Sequence, residues 1–168
     1  MADPVTPPDM LTPAQWRAAM GAFPSGVTIV TSWQDGQPIG TTISAFCSVS
    51  LEPPLLLVCM DYKNPALAPI EDCKVFGVNI LGRDSGPLAM LFGKDPNADR
   101  FAGVDYRVRA GGAPQLSDAP VFIDCALEHS YEAGDHKIFV GRGIHIEHAH
   151  PTAPLLYHKG AFPTFEPR

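Results

Sequence analysis

The chain has 168 residues, 45% hydrophobic and 18% charged, which suits one domain with a real core and excludes bulk disorder. Its 18 prolines and 15 glycines favour a turn-rich β protein over a helical bundle, and a formal charge of −6 argues against a nucleic-acid binder. No apolar run approaches the about 20 residues that span a membrane, and the opening MADPVTPPDM lacks the regions of a signal peptide, so a cytoplasmic protein is expected.

Residues 1–10 are polar and Pro-rich and read as a flexible arm ahead of a single domain over 11–168. Thr12 as N-cap, Pro13 at N1 and Gln15 at N3 then spell a capping box, with Leu11 and Trp16 at the staple positions. Trp16, Ala19, Met20 and Phe23 share one apolar face, so the segment predicts a short docking helix that Pro24 and Gly26 end. The β-branched run 27–33 predicts a strand, and Asp35-Gly36 a hairpin turn. Residues 38–50 are rich in Gly, Thr and Ser, and Pro53-Pro54 separates them from a buried strand over 55–60. Helical turns over 66–72, a strand over 75–81 and a short helix over 86–92, stopped by Gly93, come next. From 94 to 120 the chain turns polar and loses periodicity, which marks a functional or partner-covering loop. Strands over 121–132 and 136–148 flank the turn Ala133-Gly134-Asp135, and 154–158 is a last strand. Roughly six or seven strands with two or three short helices predict a mainly β fold, a closed or split antiparallel barrel.

Cys47, Cys59, Cys73 and Cys125 form no CxxC pair and read as small buried thiols in a reducing compartment. After Gly40, the residues Thr41, Thr42, Ser44, Ser48 and Ser50 crowd one loop–strand junction. Hydroxyls and amides at that density can bind carbonyls, phosphates or a heterocycle edge, and the glycine admits a planar ligand; the wet face of an exposed strand would look the same. The stretch 59–64, CMDYKN, ends an apolar strand, where Lys63 can pair with a phosphate and Tyr62 can stack on a ring, or both can stand in solvent. Gly134-Asp135 projects His136 at a strand start, placed to hydrogen-bond a ligand near neutral pH or simply to face water. His145, His148 and His150 surround Glu147, but a strand splits them between two faces, so no metal is expected. There is no P-loop, no GxGxxG turn and no GxSxG elbow, so a nicotinamide would not lie in a Rossmann crevice.

Taken in order, FPSGVTIVTS, GTTISAFCSVSLEPPLLLVCM, FGVNIL, DRFAGV, AGDHKIFVGR and LLYHKGAF resemble the flavin reductase-like family, from the region of Pro13 to that of Phe165. That family includes the small NAD(P)H:flavin oxidoreductase components of two-component monooxygenases. The resemblance implies an FMN-binding split barrel with a Greek-key-like order, built as a homodimer. It implies reduction of FMN or FAD by NADH or NADPH, with reduced flavin passing to a partner monooxygenase. Carried over, Gly40, Thr41, Thr42, Ser44 and Ala45 match the segment that holds the isoalloxazine edge and ribityl chain. Cys59, Met60, Asp61, Tyr62, Lys63 and Asn64 match the segment lining the ribityl and phosphate end, and Phe92 an aromatic position near the flavin. His136 matches the catalytic histidine near the nicotinamide, and Tyr157 a C-terminal aromatic close to it. Relatives often carry Ser or Thr where this chain reads Lys63-Asn64-Pro65-Ala66, which leaves both FMN and FAD open. A non-turnover flavin-binding electron carrier is the alternative on the same barrel, and a metal-binding β domain using the 145–150 histidines is a third reading.

Overall fold

Thr12 caps α1 (Pro13–Gly21): its Oγ1 accepts the Gln15 N–H while the Gln15 carboxamide oxygen accepts the Thr12 N–H, so the capping box forms. The computed structural model describes residues 11–93, 99–148 and 152–164, which leaves the predicted arm 1–10 outside the described residues. In chain order there follow β1 (Ser25–Gly26), β2 (Thr28–Gln34), β3 (Gln37–Ile43), β4 (Phe46–Ser50), β5 (Leu55–Asp61), α2 (Leu67–Cys73) and β6 (Val75–Ile80). Then come α3 (Gly86–Gly93), β7 (Tyr106–Arg107), β8 (Gln115–Leu116), β9 (Val121–Ala133), β10 (His136–His148) and β11 (Leu156–Tyr157). Asp35 and Gly36 take φ of 51° and 76°, the left-handed pair that closes the β2–β3 hairpin.

Seven strands form one antiparallel sheet in the order β3-β2-β6-β9-β10-β5-β4. β3 and β4 are its opposite edges, yet only Ser44 and Ala45 lie between them in the chain. Three Cα steps reach at most about 11 Å, whereas a flat sheet of this width would part its edge strands by about 29 Å. The sheet must therefore curl until its edges meet. At the seam the Cys59 N–H donates to the Ala45 carbonyl (3.0 Å) and the Asn64 side-chain amide to Thr41 Oγ1 (3.1 Å). Among the described residues no ladder crosses that seam, so the closed form of the expected barrel does not occur.

Strand alternation sorts the apolar side chains onto two faces. Val30, Val58, Phe76, Val78 and Phe139 pack together on one, with Ile70 of α2 set against them. Ile29, Leu81, Phe92, Leu116 and Leu155 pack on the other, where α3 contributes Ala89.

Three expectations are corrected. The first helix stops at Gly21 and buries none of its residues; Trp16, Met20 and Phe23 are 55%, 52% and 77% exposed. It is tied to the rest of the chain at its C-terminal end, where the Lys159 N–H donates to the Gly21 carbonyl (3.2 Å) and β1 pairs with β11. The described part of 94–120 is more than a functional or partner-covering loop, because Ala113 is buried and Leu116 and Ala119 are buried in the second cluster. Its polar composition belongs to the turns between those few inward residues. Cys47 and Cys73 are exposed rather than buried, while burial pushes the Cys125 thiol up to about 12. Among the described residues no helix is long and apolar enough to cross a membrane.

Candidate active site

β5 and β10 pair with His136 opposite Asp61 and Ile138 opposite Cys59. Directly opposed residues share a face, as do residues two apart on one strand, so Cys59, Asp61 and His136 stand together. Met60 and Phe139 point to the other face and are 1% and 0% exposed. Ala45 joins this row through its carbonyl, which accepts the Cys59 N–H. Gly134, at φ 65°, makes the turn ahead of His136. Asp135 Oδ1 lies 2.7 Å from His136 Nδ1, and that hydrogen bond holds the Asp135 carboxyl below the usual aspartate range. With Nδ1 engaged, Nε2 is the ring nitrogen left to meet a ligand. The next residue, Lys137, turns the opposite way and donates to Glu71 of α2, which lowers the Glu71 carboxyl.

The turn after β5 closes on itself. Asp61 Oδ1 accepts the Lys63 N–H (2.7 Å), the Asp61 carbonyl the Asn64 N–H (2.9 Å) and Asn64 Oδ1 the Ala66 N–H (3.0 Å). The Tyr62 N–H donates to the Asp135 carbonyl at 3.2 Å, and Pro65 has no N–H to give. Every backbone donor from Tyr62 to Ala66 is thus occupied, and the Asp61 carboxylate sits among them. A phosphate is held by unoccupied amides, hydroxyls or basic side chains. The turn offers it only the exposed side chains of Tyr62 and Lys63.

Gly40 is buried beneath Phe92: an added Cβ would stand 2.7 Å from the Phe92 ring and 3.4 Å from that of Phe101. Its carbonyl accepts from Arg100 Nη1 at 2.7 Å. At this position a side chain would collide with the Phe92 ring, so ring packing alone already requires a glycine. Thr42 Oγ1 donates to the Ala89 carbonyl (2.6 Å), and Thr41 Oγ1 already takes the Asn64 amide, so both hydroxyls bind protein. Phe92 is 0% exposed, and with Met60 it packs in the cores instead of facing a ligand. Ser44 and Ala45 are exposed.

Ser44, Ala45 and Tyr157 line an open groove of about 1120 Å³ between α1, the 44–45 connection and the turn after β11. Met20 and Phe23 give it an apolar wall, and Arg17 and Lys159 supply its charges. None of the four stands out in the sequence as a groove residue: a capped apolar stripe reads as a docking surface, and Lys159 belongs to no candidate binding motif.

The other histidines lie elsewhere. His145 Nε2 is 2.9 Å from Arg109 Nη1 and 3.6 Å from Glu147 Oε1, and Arg107 and Arg109 both approach Glu147. Two guanidiniums repel a metal cation there. Among the described residues no three His, Cys, Asp or Glu side chains are placed to hold one, and His150 is outside those residues.

Residues 20–166 match the family model described as flavin reductase like domain. The chain is 36% identical over 160 residues to the flavin-dependent monooxygenase reductase subunit HsaB of Rhodococcus jostii (strain RHA1), covering 95% of this chain and 81% of the relative. It is 41% identical over 157 residues to the reductase component of 4-nitrophenol 4-monooxygenase/4-nitrocatechol 2-monooxygenase from Rhodococcus opacus, covering 94% and 83%. The Streptomyces globisporus C-1027 NADH:FAD oxidoreductase SgcE6, solved in complex with NAD and FAD fragments, superposes with a TM-score of 0.86 at 33% identity, over 95% of this chain and 98% of that one. The chain belongs to the flavin reductase-like family. Within that family it is a flavin reductase, an NAD(P)H:flavin oxidoreductase of the kind found as the reductase component of flavin-dependent monooxygenases.

Proposed function

We propose that the protein reduces FMN or FAD with NADH or NADPH on the surface that runs from the groove to His136. The reading takes the curled sheet as an FMN-binding split barrel, working as a homodimer and releasing reduced flavin to a monooxygenase. The observation that carries it is the unbroken row from Ala45 through Cys59 and Asp61 to His136, which links an apolar groove at one end to a histidine at the other. The groove fits a flavin: its walls are apolar, Tyr157 brings an aromatic ring and both of its charged residues are basic. Bound flavin supplies the two-electron chemistry. The protein's part is to hold, orient and shield. Asp135 fixes the His136 ring so that Nε2 can donate to or accept from a nicotinamide carboxamide or ribose. Exposed apolar residues on α1 and at Ile144 and Ile146, which are 55% and 56% exposed, support an interface between two copies.

Anaerobic mixing of the protein with NADH or NADPH and either flavin should bleach the flavin absorbance. Absence of bleaching with every pairing would sink the proposal. Protein that stays yellow through gel filtration but never turns over would favour the carrier reading instead. His136→Ala should raise the KM for NAD(P)H or slow reduction by about threefold to tenfold, the size of one lost hydrogen bond of about 0.5–1.5 kcal/mol. Flavin affinity should hold, because the groove lies at the other end of the row. A mutant that lost flavin and kept its nicotinamide kinetics would reverse the two sites.

A further inference from the structure

We infer that Lys137 and Glu71 are positioning residues for His136: their ion pair sets the start of β10, and with it the imidazole, against α2. This role deepens the reading above and rests on its placing of His136 at the nicotinamide. His136 is the terminal residue in both ladders that hold β10, opposite Asp61 on one side and Ala133 on the other. Ahead of it stand Gly134 at φ 65° and Asp135, whose side chain is 89% exposed. Strand ends fray unless something beyond the ladder ties them down. The Asp135 carboxylate fixes the ring only relative to its own turn, so the ring's place in the site depends on what anchors the backbone beneath it.

Lys137 supplies that anchor. It stands opposite Met60 and two residues before Phe139, on the face whose apolar side chains pack with α2. From the rim of that core its Nζ donates to Glu71 Oε1, which also accepts Ser130 Oγ–H at 3.0 Å. One carboxylate oxygen thus ties together β10, β9 and α2. The lysine side chain is 18% exposed, against 58%, 55% and 46% for Arg107, Arg109 and Arg142 in their ion pairs. Less water reaches this pair, so it is screened less than those at the surface. The shared hydrogen bond holds the Glu71 carboxyl low and the Lys137 ammonium high, so both stay charged at neutral pH. α2 is itself a fixed post. Leu67 and Ile70 are buried in the same core, and the Lys74 carbonyl at its C-terminal end accepts the Leu127 N–H at 2.8 Å. Lys137 is drawn toward that post, while the strand period turns His136, one residue earlier, to the opposite face.

The test is a double-mutant cycle with His136. Steady-state flavin reduction is measured for wild type, Lys137→Met, Glu71→Gln, His136→Ala, and Lys137→Met combined with His136→Ala. Lys137→Met should lower kcat/KM for NADH or NADPH about threefold to tenfold, as a displaced contact group does, and leave the KM for flavin alone. Glu71→Gln should act in the same direction, and Lys137→Arg, which keeps the charge, should retain most of the wild-type value. With alanine at 136 there is no ring to misplace, so Lys137→Met should then cost less than about twofold. A second readout needs no ligand. The imidazole NMR signals of His136, assigned by their loss in His136→Ala, should shift or broaden in Lys137→Met and stay near their wild-type positions in Lys137→Arg. A Lys137→Met change that lowers kcat/KM equally in both backgrounds overturns the inference, because the loss would then be one of general structure. So do His136 signals that stay in place, or Lys137→Met kinetics that match wild type. If instead His136→Ala kept wild-type nicotinamide kinetics, the reading of that site would fall, while signals that still moved in Lys137→Met would uphold the pair's grip on the ring.

Discussion

Phe92→Ala is expected to lower folding stability by about 3–5 kcal/mol, the range for emptying a buried phenylalanine site. The ring is 0% exposed and meets Phe101 edge-on, with centroids 5.1 Å apart at an interplanar angle of 85°. It also lies over Gly40, where even one methyl would touch it. Removing it leaves a cavity bounded by α3, β3 and the Phe101 segment, none of which can close in without breaking the Thr42–Ala89 and Arg100–Gly40 bonds. Urea denaturation followed by fluorescence measures the loss, and Phe92→Leu should recover much of it. A midpoint that did not move, together with weaker flavin binding, would return Phe92 to the ligand.

That result bears on how far the sequence could be read. The first helix was legible to the residue at its start, because a capping box is a local bargain among Thr12, Pro13 and Gln15. The Asp35-Gly36 hairpin and the long β9–β10 pair were legible for the same reason: turn chemistry and alternation act over a few residues. The seam was not legible, since nothing local says that β3 and β4 lie on opposite edges of one sheet. The resemblance points to segments but does not choose among their side chains. On β5 the strand period decides that choice, sending Met60 inward and leaving Cys59 and Asp61 on the face shared with His136. Within 94–120 a few apolar residues among many polar ones hid a buried contribution, because composition averages over a window and burial does not.

Asn79→Ala should cost about 2–6 kcal/mol, because it strands two buried backbone groups at about 1–3 kcal/mol each. Asn79 is 0% exposed; its Nδ2 donates to the Ile29 carbonyl at 3.0 Å and to Thr31 Oγ1 at 3.3 Å, and its Oδ1 accepts the Leu116 N–H at 2.8 Å. Through that last bond it clamps β8 onto the sheet. The neighbouring bonds from Trp33 Nε1 to the Gly112 carbonyl and from Thr31 Oγ1 to the Pro114 carbonyl hold the same segment. With alanine at 79 the segment loses its central anchor, so limited proteolysis should cut between Asp105 and Asp118 before the sheet unfolds. Asn79→Asp separates the two halves of the side chain. It keeps an acceptor for Leu116 but turns a carboxylate toward the Ile29 carbonyl, and burial raises the pKa of such a group. A raised carboxyl pKa means that the folded state holds its proton longer than the unfolded chain does, so stability of this variant should fall as pH rises above the ordinary aspartate value of about 4. Equal stability of Asn79→Asp at pH 4 and pH 7, or an alanine variant with the wild-type midpoint, would show that the 106–116 segment is held by its other contacts alone.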